Sequence, residues 1–329
     1  MVCQQDPLVQ KIIDLYVKIS NLETLNPSKD VDTLFTELVL TCIPPTPIDV
    51  TKLCQKIQEI RSNLIKLCGT AEGLLEKHYS TILGSFQTPL ENLHIFPYFN
   101  NYIKLSLLEH NILAQKCTQA PTTIAFVGSG PLPLTSIVLA SNHLKNTIFH
   151  NYDIDHVANS MASKLIESDS DLSKRMFFHT VDILDVTIEL KKYDVVFLAA
   201  LVGMEKKDKI GVIEHLAKNM NPGAFLMMRS AHGARAFLYP VIEEEDLQGL
   251  FEVLTIFHPT DDVINSVVLA RKFEKKCNLH EDYDHLGMIG NGKNIVLPIK
   301  CCCAEMQAFS PFGQMNLIEE FASFEEHRI

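Results

Sequence analysis

The chain has no surplus of positive charge. Its 329 residues carry 29 Lys and Arg against 40 Asp and Glu, a formal net charge of -11. A broad nucleic-acid face or a face for anionic membranes needs the opposite balance, so neither is expected. Small cationic ligands are compatible with it. Nine cysteines are present, at 3, 42, 54, 68, 117, 277 and 301–303, but none forms a C-x-x-C pair. The opening "MVCQQDPLVQKI" lacks the apolar core of a secretory signal and the Arg/Ser character of a transit peptide. Reduced thiols in a cytoplasmic protein are therefore expected. No internal repeat occurs. Residues 120–144 contain no Asp, Glu, Lys or Arg, yet Gly128, Gly130, Pro131 and Pro133 interrupt them. Strand, loop and helix fit this segment better than a membrane span, and no stable membrane insertion is expected.

With 47% hydrophobic and 21% charged residues, the chain has the composition of a folded globular protein. Residues 1–118 show helical periodicity with almost no strand signal. Asp6-Pro7 is a cap and first turn for "DPLVQKIIDLYVKISNL". A second helix is predicted from Ser28. The "IPPTPID" break precedes a long helix over 50–83 that Asp49 would cap. Gly69 and Gly73 inside it point to a bend or a close approach. A further helix is predicted over 98–116. This half is expected to be an all-helical bundle.

The pattern switches after Pro121. Strand-like runs near 122–128, 146–153, 175–182, 193–203 and 221–233 alternate with helical runs, which predicts a parallel sheet covered on both faces. Two final runs, 251–259 and 264–273, are separated only by "TDDV". So short a link cannot make a parallel crossover, so this pair must be antiparallel. The expected fold class is α/β: a helical domain (1–118) packed on a doubly wound, class I methyltransferase-like domain (119–276) that ends in an antiparallel hairpin, with a variable tail (277–329).

The loop "FVGSGPLPLT" joins the first strand of this sheet to a helix. Gly128-Ser129-Gly130-Pro131 begins like a nucleotide loop, but Pro133 stands where a pyrophosphate fingerprint has its third glycine. That disfavours a dinucleotide and suits a nucleoside without phosphate, such as S-adenosylmethionine. Both prolines suit a first helical turn. Asp153, ending the second strand, stands where an acid holds a ribose diol in such sheets. Asp182, ending the third, is placed to meet an adenine amine. Helix capping is the plainer role for Asp155, Asp182 and Asp185. On these residues alone, an ordinary methyltransferase with a helical cap and a non-catalytic binding module both stay open.

The helical half narrows the choice by resemblance. "NLETLNPSKDVDTLFTELVLTCIPP", "LIKLCGTAEGLLEKHYS" and "FPYFNNYIKLSLLEHNIL" closely resemble plant nicotianamine synthases. So do "FVGSGPLPLTSIVLA", "NYDIDHVANSMASKLI" and "NPGAFLMMRSAHGARAFLYP". The resemblance spans about residues 8–275 and nothing is carried onto the tail. It implies an enzyme that joins aminocarboxypropyl groups from three S-adenosylmethionine molecules into nicotianamine, a metal chelator, and releases methylthioadenosine each time. S-adenosylmethionine is then the substrate, and no further cofactor is implied.

Such chemistry needs an α-amine attacking the carbon beside a sulfonium. A free α-amine has a pKa of about 7.7–8.0, so a weak proton acceptor suffices. The leaving thioether is neutral, and alignment should dominate. By resemblance, Glu76 in "GLLEKHY" and Tyr102 in "NNYIKL" are the catalytic candidates. Glu72, one helical turn earlier on the same face, is a further acid. Arg229 and His232, after the fifth strand, are candidates for substrate carboxylates. His78, His94 and His110 have no metal-ligand spacing, and no enzyme metal is expected. The "YIKL" and Leu74-Leu75 sequences have the form of sorting signals, but helix packing accounts for them. Cys301, Cys302 and Cys303 are expected to be reduced.

Overall fold

The structure, a computed structural model, describes residues 6–46 and 48–274. Cys301, Cys302, Cys303 and the rest of the tail lie outside the described residues.

Helix α1 (Pro7–Ser20) starts as expected: the Asp6 carboxylate accepts from the Leu8 N–H at 2.8 Å. Its Val9, Ile12, Leu15 and Ile19 form one buried stripe. Each such side chain contributes about 1.5–3 kcal/mol through burial. Helix α2 (Lys29–Cys42) is capped by Ser28. Asp49 caps only the short turn Val50–Lys52, because Leu53 and Cys54 are extended and interrupt the helix. Helix α3 therefore begins five residues later than the periodicity predicts, and runs Gln55–Leu83 without a break at either glycine. A Cβ on Gly69 would lie 3.0 Å from the Met204 Sδ, so this glycine serves a close approach. Helix α4 (Phe99–Lys116) completes the helical half. The buried sides of α1, α2 and α3 close on Ala234, Phe237 and Leu238 from the sheet half.

The sheet holds β1 (Thr123–Val127), β2 (Ile148–Asp153), β3 (Met176–Thr180), β4 (Val195–Leu198), β5 (Phe225–Ser230), β6 (Phe251–Phe257) and β7 (Ser266–Lys272). Their order is β3-β2-β1-β4-β5-β7-β6. The first five are parallel, and β7 runs antiparallel between β5 and β6. The remaining helices are α5 (Leu134–Val138), α6 (His156–Ile166), α7 (Leu172–Arg175) and α8 (Lys206–Asn219). Successive residues of β1 face opposite layers. Ile124 and Phe126 join a core under α4 and α5, and Ala125 and Val127 join one under α8. That double burial is why the strands read as unbroken apolar runs. Strand β4 is shorter than its apolar run. The chain leaves the sheet at Ala199 and forms a loop over the strand ends. Among the described residues, no helix is long and apolar enough to cross a membrane.

Candidate active site

The site is built on the loop after β1 and on α3 and α4 above it. Gly128 and Gly130 have φ of +79° and +65°, which side chains beyond glycine adopt only with strain. A Cβ on Gly128 would meet Val202 at 2.2 Å, so the loop is packed against the segment that follows β4. The helix after the loop starts at Leu134, as its apolar run predicts, but Pro133 is in the cap position and Pro131 lies before it, so neither proline is in the first helical turn. A residue before proline avoids helical angles, so Leu132 cannot begin the turn.

The loop amides are engaged internally. The Gly128 and Ser129 N–H groups donate to the Tyr152 carbonyl at 2.8 and 3.3 Å. The Gly130 N–H donates to Asp153 Oδ2 at 2.8 Å. Asp153 Oδ1 accepts from the Asp155 N–H at 2.9 Å. These three amides are tied to β2 and are not free donors for a ligand. What the loop offers is a close backbone surface held by Asp153. Ser129 Oγ is buried without a partner among the described residues.

Asp182 accepts from the Leu184 N–H at 2.9 Å, so it caps a short turn, and it is exposed. Strand register sets Asp153 beside Thr180, which brings Asp182 to the same edge of the sheet. Ile154, which follows Asp153, is 74% exposed, an apolar side chain left at the end of β2.

Above the loop stand Glu76 and Tyr102. The Tyr102 hydroxyl donates to Glu76 Oε1 at 3.2 Å. The other carboxylate oxygen, Oε2, would lie 2.7 Å from a Cβ on Gly130. Glu76 thus fills the space between Tyr102 and the glycine loop. Burial, then the Glu72 charge, push the Glu76 carboxyl well above the usual carboxylate range. Burial and then the Glu76 charge do the same to the Tyr102 phenol.

Beyond Tyr102 lies a cavity of about 270 Å³ between α2, α3 and α4 and the strand ends. Glu72, Tyr102, Arg229, Tyr239 and Asn265 contribute its polar wall, and Phe35, Tyr79, Phe96 and Tyr98 an aromatic one. Such faces attract cations. The Tyr239 hydroxyl donates to Glu72 Oε2 at 2.9 Å. Burial raises the Glu72 carboxyl as well, against the hydrogen bond from Tyr239.

Arg229 has a partner that sequence reasoning missed. Its Nε and Nη2 donate to Glu109 at 2.7 and 3.0 Å, and Nη2 also donates to Thr135 Oγ1 at 2.5 Å. Glu109 is fully buried. Burial alone would lower the Arg229 pKa, but the Glu109 charge beside it wins and raises it. The guanidinium lies 5.8 Å from the Tyr102 ring centroid, and its Nη1 has no partner among the described residues. Asn265 also escaped notice: it is 7% exposed, and its Nδ2 has no partner among the described residues. His232 is brought elsewhere. It is exposed and stacks on His258 at 4.0 Å between ring centroids, away from the residues lining the cavity.

The signal for Glu109 was legible in α4. Leu105, Ser106, Glu109, Ile112 and Leu113 fall at helical spacing on one buried face, and a carboxylate there demands a cation. Tyr239 and Asn265 carried no comparable signal. Among the described residues, no group of three or more His, Cys, Asp or Glu side chains is arranged to hold a metal ion.

Known proteins share both sequence and fold. The family described as nicotianamine synthase protein matches residues 2–277. A nicotianamine synthase of Solanum lycopersicum is 63% identical over 323 residues, covering 98% of this chain and 99% of its own. Nicotianamine synthase 3 of Arabidopsis thaliana is 60% identical over 329 residues, with 99% of each chain covered. The solved structure of MtNAS in complex with MTA and tNA superposes with a TM-score of 0.69 and 22% identity, over 82% of this chain and 99% of that one. A mutant of MtNAS in complex with S-adenosylmethionine gives a TM-score of 0.67, with the same identity and coverage. At that identity the likeness is one of fold.

Proposed function

The chain belongs to the nicotianamine synthase family, and from that premise we propose how its own residues carry the reaction. The substrate is S-adenosylmethionine, used as both donor and acceptor of the aminocarboxypropyl group. The observation that carries this reading is the Glu76–Tyr102 pair, set at 3.2 Å directly over the Gly130 turn that Asp153 holds. A proton acceptor in that position would stand beside the strand edge where a nucleoside binds in open α/β sheets.

In this reading the nucleoside lies at the ends of β1 and β2. Asp153 takes the ribose diol, Ile154 gives the base an apolar wall, and Asp182 stands at the adenine edge. Gly128, Ser129, Gly130 and Pro131 shape the floor. The amine of a second molecule sits between Glu76 and Tyr102. Its nitrogen lone pair forms the bond to the γ-carbon, the carbon–sulfur bond breaks toward sulfur, and neutral methylthioadenosine leaves. The proton shed by nitrogen passes to Glu76. A carboxyl whose affinity for protons is raised is suited to that task near neutral pH. Alignment of the two molecules supplies most of the acceleration. Arg229 Nη1 and Asn265 Nδ2 are the donors for substrate carboxylates. His232 does not line the cavity and is not assigned that role.

The test uses the purified protein and S-adenosylmethionine alone, with products read by mass spectrometry. Methylthioadenosine and nicotianamine in a three-to-one ratio are expected. S-adenosylhomocysteine formed only with an added acceptor would instead make the chain a methyltransferase. Binding without turnover would make it a non-catalytic module.

A further inference from the structure

The carboxyl–phenol arrangement occurs twice along α3. Glu76 pairs with Tyr102 at 3.2 Å, and Glu72 pairs with Tyr239 at 2.9 Å. The first pair stands over the glycine loop, and the second lies in the cavity wall. The two acids are one helical turn apart on α3, which at a rise of about 1.5 Å per residue separates their backbones by about 6 Å. An ordinary structural pair would be sealed in the core, but Glu72, Tyr239 and Tyr102 all line open space.

This spacing matches the growing product. Each aminocarboxypropyl transfer adds one nitrogen, joined to the previous one through three carbons. Four bonds of about 1.5 Å, in an extended chain, set successive nitrogens about 5 Å apart. We propose that Glu72 and Tyr239 form a second amine seat, which holds one nitrogen of the once-extended chain while Glu76 and Tyr102 serve the nitrogen that reacts next. The inference rests on the aminocarboxypropyl reading above and deepens it.

The electrostatics favour such an occupant. Two carboxylates this close disfavour each other's ionisation, and the Arg229 charge, paired with Glu109, offsets this only in part. A ligand with one amine compensates one acid. A ligand with two compensates both, so the once-extended chain is held more tightly than S-adenosylmethionine and stays for the next transfer. The chemical step is unchanged. The amine lone pair makes the nitrogen–carbon bond, the carbon–sulfur electrons leave with methylthioadenosine, and the proton goes to Glu76. Glu72 retains the chain and takes no part in bond breaking.

The experiment compares the unsubstituted protein with Glu72→Gln and Tyr239→Phe. Each receives S-adenosylmethionine alone, and methylthioadenosine, nicotianamine and free once-extended product are quantified. In Glu72→Gln, methylthioadenosine release should continue, its ratio to nicotianamine should rise above three to one, and free once-extended product should increase about tenfold, as loss of one charge-assisted contact to an ammonium implies. Tyr239→Phe should move the ratio the same way by less. If Glu72→Gln does not fold, the Tyr239→Phe ratio decides alone. A three-to-one ratio kept in every folded variant overturns the second seat and leaves the parent reading standing. So does a Glu72→Gln protein that folds but releases no methylthioadenosine, because Glu72 would then be needed for the first transfer. If the unsubstituted protein makes no methylthioadenosine, the parent reading falls and the second seat with it.

Discussion

Replacing Gly130 by alanine separates the placement of Glu76 from the stability of the fold. The residue has φ of +65°, and a Cβ there would lie 2.7 Å from Glu76 Oε2. The strained backbone costs roughly 1–2 kcal/mol. The clash is with the free end of a side chain, so it is relieved by moving the carboxylate. To reach an ordinary separation of about 3.5–4.0 Å, Oε2 must retreat by about 0.8–1.3 Å. A displacement of about 1 Å at a reacting group can lower a rate about 100-fold. Gly223→Ala is the matched control, because Gly223 has φ of +84° and open space around its Cβ position. Both variants should melt a few degrees lower, at about 2–4 °C per kcal/mol. Only Gly130→Ala should lose kcat, by about 10- to 100-fold. Melting curves and steady-state methylthioadenosine release measure the two effects. A Gly130→Ala protein with kcat within about twofold of the unsubstituted one, alongside the strain-sized melting shift, would refute the placement of Glu76 over the loop.

Three other substitutions test the same architecture. Glu76→Gln should retain S-adenosylmethionine binding by calorimetry while methylthioadenosine release falls by about 100- to 10,000-fold, the range for loss of a general base; unchanged nicotianamine output would remove Glu76 from the mechanism. Glu109→Ala leaves the Arg229 guanidinium buried without its carboxylate, and urea unfolding should show a loss of about 3–5 kcal/mol. Lys209 is buried, donates to the carbonyls of Ala199 and Ala200 at 3.1 and 2.8 Å, and is lowered by burial to a pKa of about 7. Between this pKa and the unfolded value of 10.5 the unfolded chain binds the extra proton, so stability rises with pH across that window and the contribution is lost as pH falls through about 7. The melting temperature of the unsubstituted protein relative to Lys209→Met should therefore increase from pH 7 towards pH 10; a flat difference would show that Lys209 does not titrate there.

The elements were legible because their causes are local. Asp6 and Ser28 cap helices that the spacing of apolar residues predicts, and the short "TDDV" link forces an antiparallel pair wherever it occurs. The start of α3 was misplaced, since a cap residue such as Asp49 serves a three-residue turn as well as a helix. Within the site, Glu76 and Tyr102 came from resemblance, and Asp153 from its place at a strand end. Glu109 was readable as an acid on an apolar helix face, but its partner was not.

By itself the sequence determined the acidic balance, the division into helical and alternating strand–helix segments, and a glycine loop unsuited to a pyrophosphate. These follow from side-chain chemistry, backbone restriction and short-range spacing. Only the tertiary structure decided that Arg229 turns inward to Glu109, that His232 turns away to His258, and that Tyr239 meets Glu72 across 167 positions of chain. Those pairings depend on how α3 and α4 settle over the strand ends. Packing of distant segments, which leaves no periodic trace in either one, sets that geometry.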